Sequence, residues 1–481
     1  MAKKMQYYRL KNDCALRGWE KLTGVLLFLS SGKIRALSFE EFQCLLLCNG
    51  ETAISDELRT KEMQQMIDGF LQEGIILESQ NPDPIAPAQR YRYYDCRYIP
   101  GILWSITGHC NFRCRHCYLD APAGRDGSLS TEECFDIIDQ IAACGIHSVE
   151  LTGGEPLVRS DFWDIVDRLL KKKIHITQIY TNGWLVNEDL LNSFTERGLH
   201  PFFSMSFDGL HWHDWMRGQK GAEEQTLRAL KLCREKGVPT NVEMCIYRGN
   251  VSGLMDTLQA LEAVGVTYVK ASNVSKTELW VRHSDGNLLE QEEYLEEVIK
   301  FIPEYINSDT SVHLMLSSAI DLYTKKEAEK TGVRYKLLAE YGDGEISSKG
   351  LYLCGAIRTT AYISPDGHVL PCMPIASVHD LSMFPDLLKD GLKNALKGNN
   401  YYMTFIDSRV KDLMRENREC ADCTYVLRCC GGCRAHAFIS EGEMYGTDRM
   451  MCMLWKEGYA ERIRAAAEEA LQGSDRPEDS E

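Results

Sequence analysis

The chain has 481 residues, 44% of them hydrophobic, and a formal net charge of −16. This length predicts two or three folded units. The acidic balance excludes a general nucleic-acid-binding surface, which needs a basic face. No stretch has the pattern of a signal peptide or the length of a membrane span, so we expect a cytoplasmic protein without a membrane partner. Nineteen cysteines in such a chain indicate metal binding rather than disulfides, because the cytosol keeps thiols reduced.

Residues 1–80 are expected to form a unit of strands followed by helices. The segments YYRLK, CALRGW, GVLLFL and KIRAL read as short strands separated by turns. A helix is predicted over SFEEFQCLLLC, because Ser38 and Glu41 have the spacing of a capping box. A second helix follows over KEMQQMIDGFLQEG and ends at Gly74. This order predicts a winged-helix domain, and the prolines of NPDPIAPAQ predict a linker over residues 81–99.

Residues 100–290 alternate between strand-like and helical segments. The strand-like segments are ILWSIT, SVELTGG, ITQIYTNG, FFSMSFDG, TNVEMCIY and TYVKAS. Six β/α units at this rhythm predict an α/β fold with a parallel sheet, closed into a partial (β/α)6 TIM-type barrel. Functional residues of such a barrel collect at the C-terminal ends of its strands.

Three further segments complete the predicted organisation. Residues 291–345 are expected to be connecting helices. Residues 346–460 are dense in cysteine and glycine, which is typical of a small domain held together by metal rather than by a large core. Residues 461–481 are expected to be a C-terminal tail, and its end, GSDRPEDSE, to be solvated.

Cys110, Cys114 and Cys117 lie in one short loop after the first barrel strand. A cubane iron–sulfur cluster has four irons, so three protein thiolates leave one iron open to bind a small molecule. The alternative is a zinc site in which His116 or His109 is the fourth ligand.

Four short motifs follow consecutive strand ends, and they support the cluster over zinc. They supply a set of candidate cofactor-binding residues: Gly153, Gly154, Glu155, Pro156, Thr181, Asn182, Ser206, Asp208 and Arg217. Together with the three-cysteine loop, this pattern resembles the radical SAM superfamily over about residues 100–275. The resemblance implies a [4Fe–4S] cluster that binds S-adenosyl-L-methionine and generates a 5′-deoxyadenosyl radical. It implies that the GGEP segment holds the methionyl amino group, that Glu155 balances its charge, and that Arg217 meets the cofactor carboxylate.

A second cysteine pattern occupies the C-terminal region. It consists of Cys354, Gly367, Cys372, Cys420, Cys423, Cys429, Cys433 and Cys452. The pattern resembles the SPASM domain, which binds two auxiliary [4Fe–4S] clusters, so that the chain would hold three clusters in all. A zinc ribbon on Cys420, Cys423, Cys429 and Cys433 is the alternative, but it leaves the other three cysteines unexplained.

The SPASM resemblance also implies which cysteines share a cluster. It assigns Cys420, Cys423, Cys429 and Cys452 to the distal cluster. It assigns Cys354, Cys372 and Cys433 to the nearer one, which is then one ligand short. We expect an open iron that faces the substrate; ligation by Cys430 is the alternative.

The N-terminal unit resembles the RiPP recognition element, a winged-helix domain that binds leader peptides by adding a strand to its sheet. A DNA-binding winged helix is the alternative, but the second helix has no cluster of Arg or Lys for phosphates. With the other two resemblances, this identifies the chain as a radical SAM/SPASM peptide maturase of RiPP biosynthesis, of the sactipeptide, ranthipeptide or cyclophane type. The implied partners are a precursor peptide, whose leader binds residues 1–80, and a reducing flavodoxin or ferredoxin.

The reaction implied by these resemblances is hydrogen abstraction from the peptide followed by closure of an intramolecular cross-link. A thioether from cysteine to carbon is expected first, and a C–C or C–O link to an aromatic residue second. Formylglycine-type sulfatase maturation comes third, because Met373 follows Cys372 where that family has an acid. An iron–sulfur regulator or electron carrier is the alternative from another class, and the GGEP motif argues against it. The sequence assigns no catalytic acid or base.

Overall fold

The structure, a computed structural model, describes residues 6–30, 33–55, 59–121, 127–317, 319–332, 336–337 and 351–472. The N-terminal module begins with four strands and continues with two helices and three further strands. Its elements are β1 (Gln6–Leu10), β2 (Cys14–Trp19), β3 (Leu22–Phe28), β4 (Ile34–Ala36), α1 (Phe39–Leu47), β5 (Asn49–Ile54), α2 (Lys61–Gln72), β6 (Ile76–Ser79) and β7 (Arg92–Tyr94). They form two small sheets, with strand orders β5-β1-β6 and β4-β3-β2-β7.

The predicted start of α1 is confirmed by its cap. Ser38 Oγ accepts a hydrogen bond from the Glu41 N–H at 3.1 Å, and Glu41 Oε2 accepts one from the Ser38 N–H at 2.9 Å. This arrangement satisfies two N–H groups that have no partner within the helix. Behind the cap, α1 and α2 bury Cys44, Ile67 and Phe70 in the core of the module. The predicted order of strands followed by helices is confirmed, although the sequence did not predict β5 and β6.

Residues 81–99 were predicted to be a linker, and in the structure they pack against the N-terminal module. β7 pairs in parallel with β2, and Ile85 is buried in the core of the module. The Gln89 side-chain amide donates to the carbonyl oxygens of Lys11 and Cys14, at 2.7 and 3.0 Å. The segment with the three prolines is therefore part of the packed N-terminal module and not a free linker.

The central domain alternates strands and helices, as the sequence predicts. Its elements are β8 (Gly101–Ser105), α3 (Thr131–Ala143), β9 (Ser148–Thr152), α4 (Phe162–Lys171), β10 (His175–Thr181), α5 (Glu188–Glu196), β11 (Phe202–Ser206), α6 (His213–Arg217), α7 (Ala222–Glu235), β12 (Thr240–Ile246), α8 (Leu254–Ala263), β13 (Tyr268–Asn273), α9 (Glu278–His283) and α10 (Gln291–Ile306). Strands β8 to β13 are parallel neighbours in chain order. The predicted α/β fold with six parallel strands is confirmed.

The segment 291–345, predicted as connecting helices, also contributes strands. After α10 come β14 (His313–Leu316), β15 (Ile320–Leu322), α11 (Lys325–Thr331) and β16 (Lys336–Leu337). β14 pairs in parallel with β13 and extends the sheet by a seventh parallel strand, while β15 and β16 turn back as antiparallel neighbours. The prediction was wrong for this part of the segment, because the apolar strand HLML is only four residues long.

The C-terminal region adds a strand to the other end of the same sheet. Its elements are β17 (Thr360–Ile363), β18 (Val369–Leu370), α12 (Leu392–Ala395), α13 (Tyr401–Asp407), α14 (Val410–Glu416), α15 (Arg418–Ala421), α16 (Val426–Cys429), α17 (Arg434–Glu441), α18 (Arg449–Trp455) and α19 (Tyr459–Gln472). β17 pairs in parallel with β8. The cysteine-rich region therefore continues the barrel sheet directly.

The predicted tail begins too early at residue 461. Residues 461–472 belong to α19, which buries Ile463 and Ala467. Arg462 forms a bidentate ion pair with Glu296 of α10, with both contacts at 2.6 Å. The sequence GSDRPEDSE lies outside the described residues. Within the described ranges no helix is long and apolar enough to cross a membrane, and the cytoplasmic location stays a prediction.

Candidate functional site

The loop with Cys110, Cys114 and Cys117 lies between β8 and α3, above the C-terminal end of β8. Its backbone is tied to α6, because the Arg115 N–H donates to the Met216 carbonyl oxygen at 2.9 Å. Electrostatic effects of Cys114 and Cys117 act on the Cys110 thiol, so the structure brings the three side chains into one neighbourhood.

Polar groups surround these three sulfurs. The Phe112 N–H donates to Cys110 Sγ and the Ala121 N–H to Cys117 Sγ, each at 3.4 Å. Burial raises the pKa of Cys110 to about 12, and that of Cys114 to about 11. Iron ligation would offset the cost of burying thiolates here, since the metal ligand is the deprotonated sulfur. The donor set therefore fits a thiolate-ligated cluster.

The two glycines of GGEP let β9 approach the cysteine loop closely. A Cβ atom on Gly154 would lie 2.3 Å from the His109 carbonyl oxygen, and one on Gly153 would lie 2.5 Å from that of Thr107. The Gly154 N–H donates to Thr107 O at 2.8 Å, and the Glu155 N–H to His109 O at 2.9 Å. Glycine is required at both positions because backbone stands where a side chain would be.

Glu155 joins GGEP to the end of the next strand. Its carboxylate accepts hydrogen bonds from Thr181 Oγ1 at 2.9 Å, the Asn182 N–H at 2.7 Å and the Leu157 N–H at 3.2 Å. The side chain is fully buried, and burial raises its pKa to about 7. Pro156 begins the turn that follows. The structure thus assigns Glu155 a positioning role, and its balancing of a bound ammonium stays a prediction.

Asp208 and Arg217 form a buried ion pair beside the cluster loop. Asp208 Oδ2 lies 2.6 Å from Arg217 Nε, and Oδ1 accepts from the Cys245 N–H at 2.9 Å. Burial opposes the charge on Asp208, but Arg217 holds its pKa below the ordinary value. Arg217 Nη1 also lies 3.8 Å from Cys114 Sγ, so positive charge sits beside a predicted iron ligand. Contact of Arg217 with a cofactor carboxylate stays a prediction, as does a cofactor role for Ser206, which ends β11.

The zinc alternative finds no support in the geometry of the loop. In the described ranges, the one trio of His, Cys, Asp or Glu with ligand atoms all within 4.8 Å is His116, Asp208 and Cys245. A tetrahedral zinc site with Zn–S bonds of about 2.3 Å would hold its sulfurs closer together than that limit. The three loop cysteines do not form such a set. In the trio that does, Asp208 is already neutralised by Arg217.

Four C-terminal cysteines line one cavity. The side chains of Cys420, Cys423, Cys429 and Cys452 share its wall with apolar residues, among them Trp455. Burial raises the pKa of Cys420 to about 11, with contributions from the other three cysteines. Four thiols converging on one apolar cavity fit a cluster with four protein ligands. Cys433, which the zinc-ribbon alternative requires, does not line this cavity.

Cys354, Cys372 and Cys433 come together elsewhere. Burial raises the pKa of Cys372 to about 12, and the nearby thiols of Cys433 and Cys354 add to the effect. Burial also raises the pKa of Cys433, again with Cys354 contributing. The contacts therefore divide the seven cysteines into a group of four and a group of three. That each group holds one cluster, as the SPASM resemblance implies, stays a prediction.

Cys430 is directed into a small apolar core. It is buried in a cluster with Leu413, Val426 and Cys420, so it lies on the side of the group of four, and its thiol donates to the Leu427 carbonyl oxygen at 3.6 Å. Its backbone is left-handed, with φ 49°.

The barrel interior carries polar and charged side chains that the sequence analysis did not single out. Glu150, Tyr180, Glu243 and Lys270 alternate with buried apolar residues on β9, β10, β12 and β13. Alternation in each strand would have placed them on the inner face, but it could not show that they lie near one another.

Two family matches cover the two cysteine-bearing regions. Residues 104–261 match the radical SAM superfamily, and residues 354–424 match the SPASM iron–sulfur cluster-binding domain. The first range includes Cys110, Cys114 and Cys117, and the second begins at Cys354.

Curated relatives and solved structures align over most of the chain. PqqA peptide cyclase from Granulibacter bethesdensis is 27% identical over 72% of this chain and 86% of its own length. Mycofactocin maturase MftC from Mycobacterium tuberculosis is 27% identical over 72% of this chain and 81% of its own. The fold is similar to SuiB of Streptococcus suis bound to its precursor peptide SuiA, with a TM-score of 0.62 and 16% identity over 92% of this chain and 99% of that one.

Proposed function

We propose that this chain, in which residues 104–261 match the radical SAM superfamily and residues 354–424 match the SPASM domain, matures a ribosomally made precursor peptide by closing an intramolecular cross-link. The observation that carries the proposal is the alignment with a peptide cyclase over 86% of that protein's length. The alignment spans 351 residues of this chain, more than either matched region alone. A peptide-modifying chemistry therefore fits more than one domain.

The cofactors of the chain are S-adenosyl-L-methionine, the [4Fe–4S] cluster that binds it, and auxiliary iron–sulfur clusters in the SPASM domain. When bound, they supply a 5′-deoxyadenosyl radical and an acceptor for the electron that cross-linking releases. Cys110, Cys114 and Cys117 would hold the first cluster. The remaining work of the protein is to orient the peptide, exclude water and move a proton. A flavodoxin or ferredoxin is the proposed reductant.

The leader peptide is proposed to bind the edge of the N-terminal sheet at β4. In the described part of the module β4 has only one strand neighbour, β3. Arg35 of β4 reaches α2, where its guanidinium pairs with Glu73 at 2.6 Å and lies 5.7 Å from the centre of the Phe70 ring. An extended peptide added here would find unpaired backbone groups on one side and a helix on the other.

A thioether from a peptide cysteine to carbon remains the preferred product. The group of three cysteines, Cys354, Cys372 and Cys433, supports it, because an iron without a protein ligand is available to a soft substrate thiolate. The position of Cys430 in an apolar core supports it further. A C–C or C–O link to an aromatic residue is the second candidate. Sulfatase maturation is the third, and Met373 after Cys372 argues against it.

The test is anaerobic incubation of the reconstituted enzyme with the precursor peptide encoded beside the gene, S-adenosylmethionine and a reductant. A cross-linked product must be lighter by two hydrogen atoms, which mass spectrometry resolves. A thioether also removes one thiol from alkylation by iodoacetamide, whereas a C–C or C–O link leaves it reactive. No mass change with the wild-type enzyme, under conditions where S-adenosylmethionine is cleaved, would contradict the proposed function.

A further inference from the structure

A half-buried carboxylate faces the barrel interior on β12. Val242 and Met244 are buried against the outer helices, with 0% and 3% of their surface exposed. Glu243 lies between them, so alternation places its side chain on the inner face of the strand. About a third of that side chain, 35%, is exposed. The carboxylate can therefore be reached from the barrel interior.

Glu243 has a charged neighbour and no hydrogen-bond donor. Its Oε2 lies 3.8 Å from Lys270 Nζ on the adjacent strand β13, which is beyond a direct hydrogen bond. No described residue donates a hydrogen bond to either oxygen. Burial raises the pKa of Glu243, and Lys270 opposes this effect. Both oxygens therefore keep the capacity to accept a hydrogen bond or a proton.

The other carboxylates near the barrel interior already have hydrogen-bond or ion-pair partners. Glu150 Oε2 accepts from the Tyr180 hydroxyl at 3.0 Å, and Asp321 Oδ1 lies 2.5 Å from His313 Nε2. The carboxylates of Glu155 and Asp208 are bound as described above. Among these described acids, Glu243 is the one with no hydrogen-bond donor on either oxygen.

Lys270 connects Glu243 to the group of three cysteines. Burial dominates the pKa of the Cys372 thiol, and the positive charge of Lys270 acts on that thiol in the opposite direction. Lys270 therefore lies close enough to both Glu243 and Cys372 to influence each. Through Lys270, the carboxylate is therefore linked to the part of the barrel interior near Cys372 of the predicted nearer auxiliary site.

Cross-link formation must release a proton at this place. One peptide C–H bond loses a hydrogen atom to the 5′-deoxyadenosyl radical, giving 5′-deoxyadenosine. Formation of the new bond then requires the second peptide group to give up a proton, which for a cysteine leaves as its thiolate forms. It also requires one electron to leave the peptide, and the auxiliary clusters, when bound, would supply the acceptor. We propose that Glu243 accepts that proton and is the general base of the bond-forming step, with Lys270 holding its charge in place. This inference rests on the proposed function.

The test compares wild type with Glu243→Gln, Glu243→Asp and the control Asp321→Asn, all cluster-loaded and supplied with the precursor peptide encoded beside the gene. Three quantities are measured: precursor affinity without S-adenosylmethionine by fluorescence anisotropy, 5′-deoxyadenosine formed, and cross-linked product formed. Loss of a general base typically slows its step by about 100-fold or more. For Glu243→Gln we expect cross-links per 5′-deoxyadenosine to fall by about that factor, with the precursor affinity unchanged.

The conservative and control variants exclude a merely structural role. Glu243→Asp keeps the base and should recover much of the ratio, and Asp321→Asn should leave it at the wild-type value. If Glu243→Gln forms as many cross-links per 5′-deoxyadenosine as wild type, the proposal is overturned. So would loss of iron or of precursor binding in that variant, because the side chain would then support structure. If wild type itself makes 5′-deoxyadenosine but no cross-link, the proposed function fails, and the step assigned to Glu243 does not exist.

Discussion

At the scale of single residues, the direction of one side chain decides how many protein ligands the nearer cluster can have. Cys430 follows Cys429 directly, yet its thiol packs beside Leu413 and donates to the Leu427 carbonyl oxygen. We therefore predict that Cys430→Ala keeps the full iron content and the electron paramagnetic resonance signals of all clusters. Cys372→Ala is the comparison variant and should lose about four irons. Destruction of the nearer cluster by Cys430→Ala would show that Cys430 is a ligand and would remove the main support for a thioether.

The lowered pKa of His147 predicts how the stability of the folded protein depends on pH. It lies under the barrel, where Tyr98 contacts Nδ1 at 3.2 Å, and burial lowers its pKa from 6.5 to about 4. Between these values the unfolded chain binds the proton and the folded chain does not, so stability rises with pH from 4 to 6.5 and is lost on acidification. The shift corresponds to at most about 3 kcal/mol.

The His147 prediction is measured by urea unfolding at pH 5 and pH 7. His147→Gln removes the titrating group, so the difference in unfolding free energy between the two pH values should shrink. His200→Gln is the matched control, because His200 is exposed, and it should behave as wild type. An equal pH dependence in all three proteins would contradict the assignment of a buried, neutral imidazole.

At the scale of elements, the unpaired edge of strand β4 leads to a specific prediction for leader binding. The Leu37 N–H donates to Gly24 O on β3, so by alternation the Ala36 N–H faces the open edge. Ala36→Pro removes that donor without breaking the β3–β4 ladder. We expect leader affinity, measured by fluorescence anisotropy, to fall at least about tenfold, while Ala36→Val retains it. Unchanged binding with Ala36→Pro would place the leader elsewhere.

Local patterns in the sequence predicted the elements that local physics determines. The capping box at Ser38 and the six regularly spaced strands are encoded within windows of about ten residues, and both are present. β14 was missed because its partner, β13, precedes it by about forty residues, and its four residues carry little periodicity. β7 was missed because the prolines before it indicate a linker, whereas its pairing with β2 depends on tertiary packing.

The candidate site likewise has features that a local sequence pattern predicts and features that depend on tertiary contacts. The spacing of Cys110, Cys114 and Cys117 is a property of one loop, and the sequence identifies it directly. The pairing of Asp208 with Arg217 and the approach of Lys270 to Glu243 join residues on different elements. No local sequence pattern predicts these two pairs, although alternation places Glu243 on the inner face of its strand.

At the scale of the whole molecule, the cysteine groups predict a metal content. Anaerobically reconstituted protein should bind about twelve irons in three cubanes. Replacing Cys110, Cys114 and Cys117 with alanine should remove about four and abolish cleavage of S-adenosylmethionine, because the open iron is lost. Elemental analysis checks both numbers. Zinc in place of iron in protein purified without air would contradict the cluster assignment.

The central claim is that a radical generated beside the three-cysteine loop acts on a peptide in the barrel. The most direct test uses precursor peptide with deuterium on the carbons of its candidate cross-linked residues. Transfer of one deuterium from the peptide into 5′-deoxyadenosine, detected by mass spectrometry, is the predicted result. The alanine variant of Cys110, Cys114 and Cys117 should form no 5′-deoxyadenosine. If the wild-type enzyme instead forms 5′-deoxyadenosine without deuterium from peptide labelled at every carbon, the precursor is not its substrate.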